Sequence, residues 1–147
     1  GDDLFTKVEF SRRGFTGNAV VEMVDDAILR VYRLAPLLAP HYDCRSAIGQ
    51  KLGAIASRAA LQARDIFDLY ILSSQYRADD GPIKGVEAGM VSKAYERIFE
   101  VGFGQFSDTV VSYLSAEDQT VYDNPKSWEE VQLKAARFIE GVRKSYA

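Results

Sequence analysis

Two short runs of this sequence hold charged residues at spacings that could do chemistry. The first is "QKLGAIASRAALQARDIFDLYIL", residues 50–72, which contains Lys51, Arg58, Arg64, Asp65 and Asp68. The second is "KVEFSRR", which contains Lys7 and Glu9. Cations that share a face can hold phosphate oxygens, and a carboxylate beside them can orient a cation or a base. A carboxylate fixed on a rigid strand is also suited to holding Mg²⁺. The same residues have a plainer use, because cations and carboxylates on neighbouring helices can pin them together as a buried ion network.

Helical geometry decides which of these residues can meet. At 100° per residue, Asp65 falls on the face of Leu69, Leu72 and Tyr76, and Asp68 lies one step around from Leu72. The other faces carry Ile66, Phe67, Tyr70 and Ile71. A helix apolar all round is expected to be buried, and its carboxylates then need partners. In the preceding helix Ile48, Leu52 and Ile55 form the apolar stripe, with Lys51 and Arg58 together on one flank. A link near residues 59–62 would bring these cations against Asp65 and Asp68, with Arg64 joining the network.

The elements that must position the two runs follow from period and punctuation. Residues 4–11 alternate as a strand, with Leu4, Val8 and Phe10 on one side and Lys7 and Glu9 on the other. Turn residues at 11–18 then lead to a second strand, "NAVVEMV", giving a β-hairpin. "DDAILRVYRL" reads as a short helix, and Pro36 and Pro40 break the stretch after it. Ser46 is the expected cap of a helix ending near Arg58. Further helices are expected at 63–76, 86–101 and 105–114, with "RADDGPIKG" as a loop. A capping box, Ser127 to Glu130, is expected to start the last helix. Its face would comprise Trp128, Val131, Ala135, Phe138, Ile139, Val142 and Tyr146. The expected class is α+β and mostly helical, a short hairpin or sheet edge (1–24) followed by a helical body of about five helices (25–147).

Composition narrows the function classes. At 147 residues, with 47% hydrophobic and 12% aromatic content, the chain can bury a core. A net charge of −3 and a pI near 5.2 supply no global field for nucleic acid or membranes. No run is long and apolar enough to span a bilayer. Cys44 is the single cysteine, which excludes an intrachain disulfide and points to a cytoplasmic location. Cys44 and His41 are too few for a zinc site. The leading Gly1, without Met, suggests a piece of a longer protein.

The block at 50–72 resembles the AbiEii/AbiGii-type nucleotidyltransferase toxins of bacterial abortive-infection and toxin–antitoxin systems. In that family a helix bearing Lys is followed by Arg and then by an Arg-Asp-x-x-Asp-Leu-Tyr run. Here these are Lys51, Arg58 and "RDIFDLY", residues 64–70. "KVEF" is similar to the family's strand motif and carries Lys7 and Glu9. The resemblance implies a DNA-polymerase-β-like core with a helical C-terminal part, and Mg²⁺-dependent transfer of a nucleotide from an NTP, with RNA as acceptor in some members. It assigns phosphate binding to Lys51, Arg58 and Lys7, a catalytic role to Asp65 and a metal-facing role to Glu9. Arg64 and Asp68 remain structural.

One departure limits that implication. Such enzymes need an Asp-x-Asp pair after a Gly-Ser or Gly-Gly turn to bind metal and align the triphosphate, and this sequence contains no Asp-x-Asp. The chain is therefore expected to be the C-terminal part of such a protein and inactive alone. The alternative is a non-catalytic helical protein-binding domain of a degenerate relative, with an antitoxin-like protein as partner.

Overall fold

A computed structural model of the chain describes residues 17–77, 81–83 and 85–145. The expected strand at 4–11, and with it Lys7 and Glu9, lies outside the described residues. Among those described, β1 (Ala19–Met23), α1 (Asp26–Val31) and β2 (Leu38–Tyr42) come first. Then follow α2 (Cys44–Ser57), α3 (Ala63–Gln75), α4 (Ala88–Arg97) and α5 (Phe103–Thr109), a 3-10 turn at Val111–Tyr113, α6 (Ala116–Tyr122) and α7 (Pro125–Ser145). The mostly helical body after a short antiparallel sheet agrees with the expected class. Seven α-helices are described where about five were expected.

The sheet departs from expectation. β1 pairs with β2, Val21 opposite Pro40, in an antiparallel ladder. Pro40 was expected to break the chain, yet it sits inside a strand. The ladder's parity explains why. Asp43 N–H donates to Asn18 O at 3.0 Å and Val24 N–H to Leu37 O at 2.9 Å. Hydrogen-bonded pairs alternate along such a ladder, so Pro40 falls at a position whose N–H would point away from β1. An edge strand tolerates proline there.

Asp25 caps α1 through Ala27 N–H. The helix ends in a Schellman turn, Leu34 N–H to Leu29 O at 2.8 Å and Arg33 N–H to Arg30 O at 3.2 Å. That turn places Arg33 at φ 53°, the left-handed position glycine usually fills. Gly17 is needed for a different reason, because a Cβ there would lie 2.8 Å from Ser46 Cβ at the start of α2. This close approach lets Asn18 N–H donate to Ser46 Oγ at 2.9 Å and ties the sheet to the body. The cap of α2 is Asp43, which accepts from Ser46 N–H at 2.7 Å, so Ser46 is not the cap.

The core lies among α2, α3, α4 and α7, each packed on two of the others in the cyclic order α2–α3–α7–α4. The expected stripe of Ile48, Leu52 and Ile55 is fully buried, and Val91 and Ala94 of α4, with Ile98 just after it, are buried in the same core. Phe106 stacks on Trp128 with ring centroids 4.2 Å apart, and Phe67 bridges Phe106 and Tyr122. Burial, and then the neighbouring Tyr70 hydroxyl, pushes the Tyr122 phenol up to about 12. The last helix starts at Pro125, two residues before the expected box. Asn124 Oδ1 accepts from Ser127 N–H at 2.9 Å, and Ser127 turns its own hydroxyl to Val121 O. Asn and Pro fit as cap and first helical residue.

Several helix ends are completed by side chains from other helices. Gln105 accepts from Ala63 N–H at the start of α3. Trp128 and Gln132, both buried on α7, donate to the carbonyls of Val101 and Ile98 beyond α4. Arg97 donates from one nitrogen to Ile55 O at 2.9 Å and Arg58 O at 2.8 Å, which closes the end of α2. Charge-assisted hydrogen bonds to carbonyls are worth about 1.5–3 kcal/mol each, and water recovers part of that after truncation. Arg97→Met is therefore expected to lower the unfolding free energy by about 2 kcal/mol. Urea denaturation followed by circular dichroism would measure it, and an unchanged midpoint would contradict this account of the cap.

A second prediction concerns His41, the only histidine in the chain. Its Nδ1–H donates to Tyr42 O at 2.9 Å, and Nε2 meets the Glu22 carboxylate at 3.0 Å. Two acceptors, one at each ring nitrogen, favour the imidazolium and raise the pKa above the usual 6.5. The sign follows from linkage. The contact supports the sheet fully below the unfolded-chain pKa, and that support is lost as pH rises through the higher folded value. An NMR titration of this one imidazole should have its midpoint above 6.5. Glu22→Gln should bring it part of the way down, since the Tyr42 carbonyl remains.

Candidate functional site

The site is assembled by the turn between α2 and α3. Helix α2 ends at Ser57, with Arg58 in extended conformation, and α3 begins after Gln62. The reversal lays α3 against α2, so that Lys51 and Asp65 meet although 14 residues separate them. Asp65 stands in the first turn of α3, where a negative side chain also gains from the helix dipole.

Lys51, Arg58 and Asp65 converge as their spacing implied. Lys51 Nζ lies 3.1 Å from Asp65 Oδ1 and 2.5 Å from Asp68 Oδ2. Arg58 Nε lies 3.2 Å from Asp65 Oδ2. Exposure separates the four groups: the Asp65 side chain is 1% exposed, Lys51 28%, Arg58 42% and Asp68 45%. The interior end of the network is therefore one carboxylate, and its outer ends are the half-exposed Arg58 guanidinium and Asp68 carboxylate.

The two cations hold Asp65 differently. Lys51 donates a well-formed hydrogen bond to Oδ1. Arg58 is close enough to Oδ2 for an ion pair, but its N–H is not aligned for a hydrogen bond, and buried Oδ2 accepts no other among the described residues. Distance and direction thus disagree at this contact, and direction governs hydrogen-bond strength. Arg58 neutralises Asp65 without satisfying it.

Arg64 departs from expectation. It is exposed, makes no ion pair among the described residues, and instead lines a cleft of about 600 Å³ beside the network. Asp68, Phe67, Asp108 and Tyr113 also line that cleft, which α3 shares with α5 and the 3-10 turn. Helix α3 is not buried all round either, since Ile71 is 39% exposed. Sequence reasoning did not find the cleft, because the far wall comes from elements about forty residues later whose packing no local period reveals.

His41 and Cys44 do not form a joint site. The imidazole is committed to Glu22 and Tyr42, and the Cys44 thiol faces Leu72 O at 3.8 Å. Among the described residues, no group of three or more His, Cys, Asp or Glu side chains is arranged to hold a metal ion. Asp65 in particular turns its oxygens to an ammonium and a guanidinium, which a dication would have to displace. The described residues therefore do not fit Mg²⁺, and Glu9, the expected metal-facing residue, lies outside them.

The network makes unequal energetic demands on its members. Removing one partner of a buried pair leaves an uncompensated charge and costs about 3–5 kcal/mol, whereas exposed pairs are worth about 0–1 kcal/mol. Lys51→Met is expected to destabilise the fold by about 3 kcal/mol and Arg58→Met by about 1 kcal/mol or less. Combining Lys51→Met with Asp65→Leu should recover part of the Lys51→Met loss, because it removes the stranded carboxylate as well. Urea unfolding of the four proteins would test the order. Equal losses for Lys51→Met and Arg58→Met would contradict it.

Comparison with protein-family models, with curated proteins and with solved structures finds no match to this chain.

Proposed function

We propose that the chain is the later part of a nucleotidyltransferase of the AbiEii/AbiGii type, which moves a nucleotide from an NTP to an acceptor such as RNA. The single observation behind this reading is the convergence of Lys51, Arg58 and Asp65 from two helices. A guanidinium whose Nε leans on a buried carboxylate keeps its outer nitrogens for a planar, bidentate phosphate contact. In this reading Arg58 holds a phosphate of the NTP, Lys51 supplies positive potential behind it, and Asp65 directs Lys51 and holds Arg58 by charge. Mg²⁺ would supply charge neutralisation of the triphosphate. Its ligands would be Glu9 and an Asp-x-Asp pair, which this sequence lacks. The cytoplasm, where NTPs and RNA occur, is the location that suits this reaction.

A second reading has its own support. A non-catalytic protein-binding domain, a degenerate relative with an antitoxin-like partner, would account for the uncharged, exposed apolar side chains of β1 and β2. It would leave Lys51, Arg58, Asp65 and Asp68 as a purely structural network.

Calorimetric titration of the chain with each NTP, with and without Mg²⁺, separates the two. The nucleotidyltransferase reading expects saturable triphosphate binding. It also expects Arg58→Gln to weaken that binding about tenfold, the equivalent of losing about 1.4 kcal/mol, with the urea midpoint almost unmoved. No saturable binding of any NTP to the folded chain at millimolar concentration would sink it.

A further inference from the structure

Two unpaired charges of opposite sign line the cleft of about 600 Å³ that α3 shares with α5 and the 3-10 turn. Arg64 supplies the cation from α3, and Asp108 supplies the carboxylate from α5. Neither side chain has a hydrogen bond or ion pair among the described residues, and the two do not pair with each other. Asp68 stands four residues after Arg64, a spacing at which opposite charges ordinarily meet, but Lys51 takes it instead.

Each charge also stands at the wrong end of its helix. Arg64 is in the first turn of α3, where the macrodipole favours anions. Asp108 is in the last turn of α5, where the macrodipole favours cations. Asp65, the first-turn carboxylate of α3, is turned to Lys51 and Arg58. A lone surface charge needs no explanation. Two that are unpaired, opposed to their own helices and brought to one cleft are a local conflict that a ligand would relieve. The rest of the lining describes the body of that ligand. Phe67 and Val110 are buried, Leu114 is half-buried, and Tyr113 adds an exposed aromatic ring. Small-molecule sites of this size combine such an apolar lining with a few placed polar groups.

We propose that the cleft binds a small zwitterion with a large apolar side chain, its carboxylate on Arg64 and its ammonium on Asp108. Free α-amino acids and short peptides both carry that chemistry. A guanidinium takes a carboxylate through two parallel hydrogen bonds, and the positive end of α3 adds to the attraction. An ionised carboxylate such as Asp108 only accepts hydrogen bonds, and an ammonium brings three donors to it. A ligand with one charge alone would leave the other unanswered. Lys51, Arg58 and Asp65 do not line this cleft, so the inference is independent of the nucleotidyltransferase reading and survives its failure.

Calorimetric titration of the whole chain with L-phenylalanine and with the dipeptide alanyl-phenylalanine is the test. Saturable binding of at least one is expected, and the tighter of the two identifies the source. Acetylating the ammonium of that probe, or amidating its carboxylate, should weaken binding at least about tenfold. Arg64→Gln should bind the probe and its amide equally, and Asp108→Asn the probe and its acetylated form. Both variants should keep their urea midpoint, since each removes a charge that its own helix disfavours. No saturable binding of either probe at about 10 millimolar would overturn the proposal. So would a wild-type chain that binds the acetylated and amidated forms as tightly as the probe, or preferences that survive both substitutions. The comparison of the three forms of the probe needs no variant, so it decides even if a substitution perturbs the fold.

Discussion

Burying Asp65 between α2 and α3 is the constraint around which the helical body is arranged. A carboxylate taken out of water carries a penalty of several kcal/mol unless donors come to it. Neither helix can supply them alone. The one cation of helix α3 near that end is Arg64, which faces away into the cleft. Lys51 and the residue after α2, Arg58, must therefore reach across. The same packing of α2 on α3 accompanies full burial of Ile48, Leu52 and Ile55. One charged group thereby fixes both the spacing and the rotation of α2 against α3.

The same logic recurs at the helix ends. Each helix leaves four N–H groups and four carbonyls without partners in its own ladder. In this chain much of the deficit is met at long range, by Arg97 for α2, Gln105 for α3, and Trp128 with Gln132 for the chain leaving α4. A helix capped from elsewhere is complete only when its neighbours are in place. The α2–α3–α7–α4 arrangement is accordingly held by direction as well as by apolar area. Buried polar networks of this kind favour one packing over its alternatives, since a shifted helix leaves its donors unpaired.

What the sequence disclosed, and what it hid, divides along that line. The phases of α2, α3 and α7 were legible because a 3.6-residue period is a local property, and so was the meeting of Lys51 with Asp65. Caps were misplaced by three residues at both Ser46 and Ser127. Asp43 and Asn124 lie just upstream with side chains equally able to accept, and only the backbone geometry separates such neighbours. Strand pairing was hidden for a further reason. β1 pairs across the α1 connection with a segment that two prolines seemed to exclude, and only the ladder's parity shows why Pro40 is harmless. Gln132 and Arg97 look like surface residues by type. Their role is fixed by carbonyls more than thirty residues away.

The geometry also redistributes roles within the proposed site. For Lys51 to hold a phosphate, its ammonium must leave Asp65, Asp68 or both, and stranding the buried Asp65 would cost about 3–5 kcal/mol. A phosphate contact to an ammonium would have to repay that before contributing any affinity. Arg58 faces no such exchange. Its Nε lies against Asp65 in a side chain that is 42% exposed, and the contact to Oδ2 is an ion pair with no aligned hydrogen bond for a ligand to break. The resemblance at residues 50–72 treats Lys and Arg alike as phosphate binders. Exposure and direction in this chain separate them, with Lys51 as the anchor of Asp65 and Arg58 as the group able to meet an anion without breaking the fold that presents it.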